Sequence, residues 1–494
     1  MKTPAKLAAI TLVAVIALVT LMQKDSSSAI EFYCAAGMKK PMAEIIAAYE
    51  KEFPGRKIEV TYGGSGTLLS KIKVQRNGDL YLAADASFID LARQDGLAAE
   101  SIPVARIRPV IVVKQGNPKK IATVEDLMRK DVRVALGNPK AASVGKTTKK
   151  LMTKLGRWEA LQQAVEARGV YKPTVNEIAN DVKIDAADAA IVWDSIAGQY
   201  PELELVDIEG ASKQTVTICV LNSTTTPPAA LHFARFVTAR DRGLDVFGKH
   251  GFERVDGDVW VSKPTIVYFA GGLNKHAAQP LITAFEQREG CKVEPIWMGC
   301  GLLVSRMKGG ETPDVYHTCD ASFHAMVEDK FGERVNISQT DIIILVPRGN
   351  PKNISTLQDL TKPGMRVGLA DDNKTALGKL TVALLADEKV LEEVKKNVES
   401  TFPEAPMVVG QLTQGALDAG LVYVANAHAQ RDKVKMIKIE NPLSRATQTY
   451  AISKASKHKH LMRRLLQHLR SETGQMSFAN AGFDLMLDSD PDNE

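Results

Sequence analysis

Two short turns carry the residues of this chain best suited to binding an anion. One reads Gly64-Ser65-Gly66-Thr67, and the other, 235 residues further on, reads Gly299-Cys300-Gly301. Each follows a predicted strand and precedes a predicted helix, so the unpaired N–H groups of the first helical turn would face the loop. The helix dipole adds partial positive charge there, and such a turn binds an anion without a charged side chain. The hydroxyls of Ser65 and Thr67 would add further donors.

Each half of the chain offers four turns of this kind. In the first half they are residues 36–38, 64–67, 143–145 and the segment near Val175; in the second half they are residues 271–273, 299–301, 376–378 and 411–412. A single glycine turn is equally well explained by ordinary chain reversal. The recurrence of the set at the same places in both halves favours a pair of anion sites.

This recurrence extends over nearly the whole sequence. Asp-Ala-Ser-Phe occurs at residues 85–88 and again at 320–323, and Gly-Asn-Pro occurs at 116–118 and at 349–351. The pair Gly251-Phe252 recurs as residues 482–483. A period of about 230 residues is the size of one large domain rather than a solenoid repeat. The sequence therefore predicts two tandem modules, residues 30–260 and 264–494.

The predicted elements that position these turns alternate between strand and helix. In the first module, strands are predicted at residues 30–35, 57–62 and 79–84, and helices at 40–53, 68–75 and 88–95. Such alternation with short connections predicts a parallel sheet covered by helices. A second set of α/β elements begins near residue 107. Each module is therefore expected to have two α/β lobes with a central cleft, where a small ligand would bind.

The first 29 residues form a distinct segment with export features. Lys2 and Lys6 precede an apolar run over residues 7–22, and Ser27-x-Ala29 is compatible with cleavage. The run suits either the apolar part of a signal peptide or an N-terminal apolar helix that anchors the chain in a membrane. In both cases the lysines predict that the remainder lies outside the cytoplasm, in the periplasm or its equivalent.

Composition and the remaining reactive residues narrow the function. A net charge of +5 over 494 residues gives no basic stripe and no case for nucleic acid. The recurring aspartates are expected to cap helices rather than to catalyse a reaction, and no enzyme, catalytic residue, cofactor or resident metal is predicted. Five cysteines leave at least one unpaired within the chain. Cys300, His317 and Cys319 are the one combination that could attract a soft metal, with burial as the simpler interpretation.

Each module resembles the periplasmic molybdate-binding protein family of ABC transporters, which has the type II solute-binding fold. In the first module the resemblance lies in residues 35–38, 62–68 and 78–85, in Gly137-Asn138-Pro139, and in the strand over residues 190–193. It covers nearly all of both modules. The resemblance implies no enzymatic activity and a cleft that binds a small oxyanion such as molybdate or tungstate.

The resemblance also implies a set of ligand-binding positions. The family holds its anion with two serines, backbone amides and a tyrosine. In the first module these positions fall on Gly37, Ser65, Val144, Val175 and Trp193. In the second module they fall on Gly272, Cys300, Leu377, a residue near Leu412, and Tyr423. Only Ser65 and Tyr423 keep the family's side chain, so each module has a partly changed site.

The sequence thus predicts an extracytoplasmic solute-binding protein that captures a small oxyanion for the permease of an ABC importer. The alternative is a membrane-anchored sensor or scaffold whose sites have diverged, with a soft metal as a candidate ligand of the second module. Because an importer needs only one module, a tandem pair on an anchor gives the alternative some weight.

Overall fold

The computed structural model describes residues 29–486 and divides the chain into two compact units, Met1–Asp256 and Gly257–Glu494. We call these units module 1 and module 2. The predicted segment 1–29, with its apolar run over residues 7–22, lies outside the described residues apart from Ala29. Among residues 29–486, no helix has the length and apolar character needed to cross a membrane.

Module 1 contains eleven strands and nine α-helices within the described residues. The strands are β1 (Ile30–Ala35), β2 (Ile58–Gly63), β3 (Leu80–Ala83), β4 (Ala98–Ile107), β5 (Pro109–Lys114), β6 (Val134–Gly137), β7 (Val170–Lys172), β8 (Ala189–Trp193), β9 (Leu203–Val206), β10 (Gln214–Leu221) and β11 (Glu253–Arg254). The helices are α1 (Lys39–Glu52), α2 (Ser65–Gln75), α3 (Ser87–Gln94), α4 (Ser143–Lys154), α5 (Trp158–Arg168), α6 (Val175–Lys183), α7 (Asp194–Ala197), α8 (Pro227–Thr238) and α9 (Gly243–Lys249).

Two sheets define the lobes of module 1. The first lobe has the strand order β11-β4-β10-β3-β1-β2, and the second has β7-β6-β8-β5-β9. Within the first lobe β1 pairs in parallel with β2 and β3, whereas β10 pairs antiparallel with β3 and β4. The predicted bilobal α/β architecture is therefore confirmed, and the carboxyl ends of β1 and β2 lead directly into the predicted turns at residues 36–38 and 64–67.

Module 2 repeats this order of elements. Its strands are β12 (Thr265–Gly271), β13 (Lys292–Met298), β14 (Val315–His317), β15 (Phe331–Pro347), β16 (Val367–Ala370), β17 (Thr401–Phe402), β18 (Ala419–Tyr423), β19 (Val434–Lys438), β20 (Arg445–Ser453) and β21 (Asp484–Leu485). Its helices are α10 (Lys275–Glu289), α11 (Cys300–Lys308), α12 (Ala321–Ala325), α13 (Ala376–Asp387), α14 (Leu391–Lys395), α15 (Ala405–Thr413), α16 (Val424–Ala427), α17 (Lys459–Arg470) and α18 (Glu472–Asn480).

The strand that connects the lobes differs between the modules. In module 1 it is interrupted, because β4 ends at Ile107 and β5 begins at Pro109, which has no N–H to donate to a ladder. In module 2 the corresponding β15 continues for 17 residues. It pairs with β20 in one lobe and with β18 and β19 in the other. A single strand thus joins the two lobe sheets of module 2.

The helices that cover the first lobe are packed by different chemistry in the two modules. In module 1 the Tyr49 ring of α1 lies 4.8 Å from the Phe233 ring and 5.2 Å from the Phe236 ring of α8. In module 2 the Glu289 carboxylate of α10 accepts two hydrogen bonds, of 2.6 and 2.9 Å, from the Arg464 guanidinium of α17. Both residues of this ion pair are buried. An aromatic contact in one module therefore corresponds to a buried salt bridge in the other.

Candidate ligand-binding clefts

The predicted site residues of module 1 meet in one small cavity between its lobes. Gly37, Ser65, Val144, Val175 and Trp193 all line it. Its volume is about 10 Å³, which is room for about one water molecule. The complete lining is Ala35, Ala36, Gly37, Gly63, Gly64, Ser65, Ala84, Ala142, Ser143, Val144, Thr174, Val175 and Trp193, and it contains no charged side chain.

Three helices of module 1 begin at this cavity. The first residues of α2, α4 and α6 are Ser65, Ser143 and Val175, and all three are in the lining. Thr174 precedes α6, and its hydroxyl accepts a hydrogen bond from the Glu177 N–H at 3.4 Å. Three N-termini directed at one point combine their unpaired N–H groups and their dipoles, which favours an anion there. Ser143 and Thr174 had not been identified from the sequence as side chains of the site.

Ser65 is held in place by two hydrogen bonds. Its hydroxyl oxygen accepts from the Ala84 N–H at 3.2 Å, and its carbonyl accepts from the Tyr81 hydroxyl at 2.8 Å. The side chain is only 1% exposed. Because the oxygen is occupied as an acceptor, the hydroxyl proton of Ser65 remains available to an acceptor in the cavity.

Direct contacts between the lobes close module 1. The Gly66 N–H donates to the Ala141 carbonyl at 2.9 Å, and the Thr147 hydroxyl donates to the Asp85 carboxylate at 3.0 Å. The approach at the first contact requires glycine, since a Cβ on Gly66 would lie 2.0 Å from the Lys140 carbonyl oxygen. The first bond holds the start of α2 against the loop before α4, and the second holds α4 against the loop before α3. The small cavity is therefore that of a closed cleft.

The cleft of module 2 is much larger. Gly272, Cys300, Leu377 and Tyr423 line a cavity of about 650 Å³. Charged side chains also face it, namely Lys275, Lys433 and Glu404, together with His276. The sequence analysis had not identified these four, because no recurring motif includes them. Four of the five predicted positions of module 2 therefore share one cleft, in surroundings unlike those of module 1.

The fourth turn of module 2 lies earlier in the chain than predicted. The helix that corresponds to α6 begins at Ala405, with Glu404 before it and Pro403 in the place of Pro173. Leu412 is near the other end of this helix and does not line the cleft. The prediction near Leu412 is therefore wrong, since loops shortened between the two modules shift the register by several residues.

The wider cleft of module 2 is seen directly at its glycines. A Cβ on Gly37 would lie 3.1 Å from the Val175 side chain and 3.4 Å from that of Ile196. A Cβ on the corresponding Gly272 would meet nothing within 4 Å. By contrast, a Cβ on Gly299 would lie 2.3 Å from the Lys374 carbonyl oxygen. The lobes of module 2 thus approach beside α11 and are apart beside α15.

Two cysteines form part of the cleft of module 2. Cys300 and Cys319 both line it and carry free thiols, and the Cys319 N–H donates to the Cys300 sulfur at 3.1 Å. Burial favours a raised pKa for Cys300, but hydrogen bonds from the thiol and amide of Cys319 outweigh burial and lower it. The same hydrogen bond to Cys300, together with burial, raises the pKa of Cys319. Cys300 is therefore the more acidic of the two.

His317 does not join these sulfurs. Its Nδ1 atom lies 2.7 Å from the Tyr268 hydroxyl, and its ring packs against Tyr450 and Phe478. Burial lowers the pKa of His317 to about 3, so the ring is neutral. Within residues 29–486, no three His, Cys, Asp or Glu side chains are grouped to hold a metal ion. The predicted combination of His317 with Cys300 and Cys319 is therefore not formed.

The recurring aspartates have structural partners. The Asp85 carboxylate accepts from the Ser87 N–H at 2.8 Å, and Asp320 accepts from the Ser322 N–H at 2.9 Å, as expected for residues at a helix start. Asp79 and Asp314 instead bind the backbone of the neighbouring strand, at the N–H groups of Glu31 and Val267. Each of these aspartates therefore stabilises the backbone of its own turn or strand pair.

The sequence matches a known family twice over. A model of the bacterial extracellular solute-binding protein family matches residues 30–253 and again residues 266–484. The chain therefore belongs to this family, whose members are substrate-binding components of transport systems rather than enzymes, and it carries the family's domain in tandem.

Individual relatives each correspond to about one module. The molybdate-binding protein ModA of Mycobacterium tuberculosis is 25% identical over 241 residues, which is 47% of this chain and 86% of that protein. A Haemophilus influenzae protein named only as a binding protein is 26% identical over 243 residues, 49% of this chain and 97% of that protein.

Solved structures with a similar chain path include two anion-binding proteins. The periplasmic molybdate-binding protein of Azotobacter vinelandii is 16% identical, with a TM-score of 0.40, and the match covers 46% of this chain and all of that one. The sulfate-binding protein SubI of Mycobacterium tuberculosis is 17% identical, with a TM-score of 0.40, and covers 46% of this chain and 88% of that one.

Proposed function

We propose that module 1 captures a small oxyanion outside the cytoplasm and presents it to the permease of an ABC importer. The observation that carries this proposal is the convergence of the N-termini of α2, α4 and α6 on one cavity without charged side chains. Amide N–H groups at helix starts, with the Ser65 hydroxyl, form a set of donors that suits an anion rich in acceptor oxygens.

The lining also favours a fully ionised anion. No carboxylate faces the cavity, so a proton carried by hydrogen phosphate would lack its strongest acceptor. Molybdate, tungstate and sulfate carry no such proton near neutral pH. The relatives named for molybdate agree with this choice of ligand class.

Capture requires the lobes to separate, because the cavity now holds about one water. Opening would break the contacts of Gly66 and Thr147 with the opposite lobe, and an anion that touches both lobes would restore closure. The ligand's bridging contacts thus supply the differential stabilisation that a hinged binding protein needs.

Export is part of the same proposal. The apolar segment over residues 7–22 would direct the chain out of the cytoplasm as a signal peptide or would hold it at the membrane as an anchor. Protection of residues beyond 30 from added protease in intact cells, lost when the outer barrier is permeabilised, is the expected result. Protein recovered only from the cytosol would contradict it.

Calorimetric titration of the full chain tests the site. Molybdate, tungstate, sulfate and phosphate are titrated into the protein and into Ser65→Ala. Loss of one hydrogen bond to a charged ligand costs about 1.5–3 kcal/mol, so Ser65→Ala should bind roughly tenfold to a hundredfold more weakly. Ser70→Ala, at an exposed position of the same helix, is the matched control and should bind as the parent does.

Two outcomes would overturn the assignment. One is unchanged oxyanion affinity in Ser65→Ala. The other is tighter oxyanion binding by module 2, which would appear as affinity lost in Tyr423→Phe and kept in Ser65→Ala. Module 2 is expected to be the weaker oxyanion binder, because a thiol at Cys300 donates poorly and a thiolate repels an anion.

A further inference from the structure

The floor of the module 2 cleft is a pair of sulfurs. Cys300 is fully buried against bulk solvent and Cys319 is 6% exposed, yet both line the cavity of about 650 Å³. If Gly271 carried a Cβ atom, that atom would lie 2.0 Å from the Cys319 sulfur and 2.9 Å from the Cys300 sulfur. The two thiols are therefore side by side and reachable from one cavity.

Module 1 shows that this pair is a coordinated change rather than a single substitution. The equivalents of Cys300 and Cys319 are Ser65 and Ala84, and the Ala84 N–H donates to the Ser65 hydroxyl at 3.2 Å just as the Cys319 N–H donates to the Cys300 sulfur at 3.1 Å. The backbone geometry is thus retained while both side chains differ.

A third difference makes room for the second sulfur. Ala36 of module 1 corresponds to Gly271, where any Cβ would collide with Cys319. Overpacking of this kind destabilises a protein interior. The sulfur at Cys319 and the missing methyl at Gly271 therefore compensate each other, which is the pattern expected of a site built to hold two thiols.

One polar group that lines the cavity lacks a hydrogen-bond partner. Tyr423 lines the cleft and is only 2% exposed, and its hydroxyl has no hydrogen-bond partner. An unsatisfied buried hydroxyl is costly unless a ligand or water completes it. Cys300 is the first residue of α11, where the helix N-terminus stabilises a thiolate. Beside the charged side chains named above, the cleft thus offers a nucleophilic sulfur, a second thiol and a hydroxyl without a partner.

We propose that Cys300 and Cys319 form a dithiol site that binds a trivalent, thiophilic oxyacid, of which arsenous acid is the simplest example. Each sulfur forms a bond to arsenic and displaces one hydroxyl, which leaves as water with the proton of that thiol. Arsenic stays trivalent, so no oxidant or reductant is needed. The third hydroxyl stays on arsenic, within the cleft that Tyr423 lines.

An oxyacid fits this site better than a metal ion. Soft metals also favour thiolates, but a bare ion would seek additional protein ligands, and residues 29–486 place no third His, Cys, Asp or Glu with the two sulfurs. Arsenous acid brings its remaining oxygen with it. The inference rests on the proposed role of the cleft as a ligand site but is independent of which anion module 1 takes.

The test uses the full chain, reduced and then freed of reductant, with arsenite and phenylarsine oxide as probes. We expect one arsenic per chain by native mass spectrometry and two thiols lost in thiol titration. A 1,2-dithiol should release the arsenic, whereas the same concentration of a monothiol should not. Cys300→Ser and Cys319→Ala should each bind at least about a hundredfold more weakly, because the second attachment and its high effective concentration are lost.

Controls separate this site from other cysteines and from misfolding. Cys219→Ser, at a buried thiol of module 1, should bind arsenic as the parent does. Cys319→Ala restores the alanine found in module 1, and its melting temperature identifies any loss of folding. Molybdate titration of the same samples reports on module 1 separately.

The proposal fails if the parent binds no more arsenic than Cys300→Ser. It also fails if a pair of thiols other than these two accounts for the binding, or if Cu⁺ or Zn²⁺ binds to the two sulfurs while arsenite does not. A pair that stays closed as a disulfide after reduction would overturn it as well.

Discussion

The two modules share one chain path, but the cleft of one is closed and the cleft of the other is open. Module 1 is closed around about 10 Å³, with the serine hydroxyl of Ser65 at its floor, whereas module 2 is open around about 650 Å³, with the sulfurs of Cys300 and Cys319 at the same place. The difference teaches that the backbone of this fold fixes where a ligand would bind, while a few side chains decide which kind of ligand the cleft suits.

The closed state of module 1 also has identifiable causes. The Thr147 hydroxyl reaches Asp85 across the cleft, and the Lys146 ammonium reaches the Ser87 hydroxyl at 2.8 Å. In module 2 the residue in the place of Thr147 is Leu380, which cannot donate, and Asp320 binds only backbone N–H groups, those of Ser322 and Thr447. Module 2 keeps the lysine and the serine of the second contact as Lys379 and Ser322. The Thr147 hydroxyl is therefore the closing donor that only module 1 has.

The largest effect is expected where the modules pack their first-lobe helices differently. Glu289→Gln removes the charge that balances the buried Arg464 guanidinium, and breaking a buried ion pair costs about 3–5 kcal/mol. Urea unfolding should show a loss of that size, and hydrogen exchange should place it in module 2. Arg463→Ala, at the exposed neighbouring position on the same helix, should change little. A loss of less than about 1 kcal/mol in the free energy of unfolding would show that the Glu289–Arg464 ion pair behaves like one at the surface.

A second test concerns closure. Thr147→Val removes the hydrogen bond to the Asp85 carboxylate, which is worth about 1.5–3 kcal/mol, and should open module 1. Amide exchange at residues 64–68 and 141–148 should rise. The reciprocal Leu380→Thr should slow exchange at the matching turns of module 2. Thr153→Val, on the exposed face of the same helix, is the control; equal exchange in Thr147→Val and Thr153→Val would assign closure to other contacts.

A third test addresses the compensation at the floor of module 2. Gly271→Ala forces a methyl into the Cys319 sulfur and should cost about 1–3 kcal/mol in unfolding free energy. Adding Cys319→Ala, which recreates the pair Ala36 and Ala84, should recover most of that loss. Gly272→Ala, where nothing lies within 4 Å, should cost far less. Additive single-variant effects would show that the two positions are uncoupled.

The last test concerns a property that the modules share, and its effect is smallest near neutral pH. Burial lowers the pKa of His232 in module 1 and of His317 in module 2 to about 3, from an ordinary 6.5. The unfolded chain therefore binds protons first, and stability should fall as the pH drops from about 6.5 toward 3, by up to about 1.4 kcal/mol per pH unit for each histidine. Urea midpoints between pH 7 and 5 should show this slope, and His317→Gln should reduce it. Between pH 7 and 8 the histidines should contribute almost nothing to the slope of stability against pH.

The sequence was sufficient for the features that repeat locally. The duplication, the bilobal architecture and the turns at Ser65, Val144 and Cys300 follow from motif order and strand–helix alternation. Within each module, the structure brings the predicted turns to that module's own cleft. Helix starts were recognisable where a glycine turn precedes them.

What the sequence did not reveal depends on contacts between distant segments. Nothing near Thr147 indicates that Asp85 lies opposite, and nothing near Gly271 indicates that Cys319 fills its space. The helix start at Ala405 was misplaced because the spacing changes between the modules. Nothing near His317 in the sequence indicates that the Tyr268 hydroxyl of β12 lies beside its ring.

The continuous strand β15 has a mechanical consequence. Strand β15 is continuous through both lobes, although its pairing with β20 shifts register at two places in the first lobe. A continuous strand between the lobes resists bending but can twist, whereas the interruption between Ile107 and Pro109 is a point at which module 1 can bend. Lobe motion in module 2 should therefore be a small torsion of the strand, and motion in module 1 a larger swing. Two receptors of equal size in one chain would then respond to their ligands with different amplitudes.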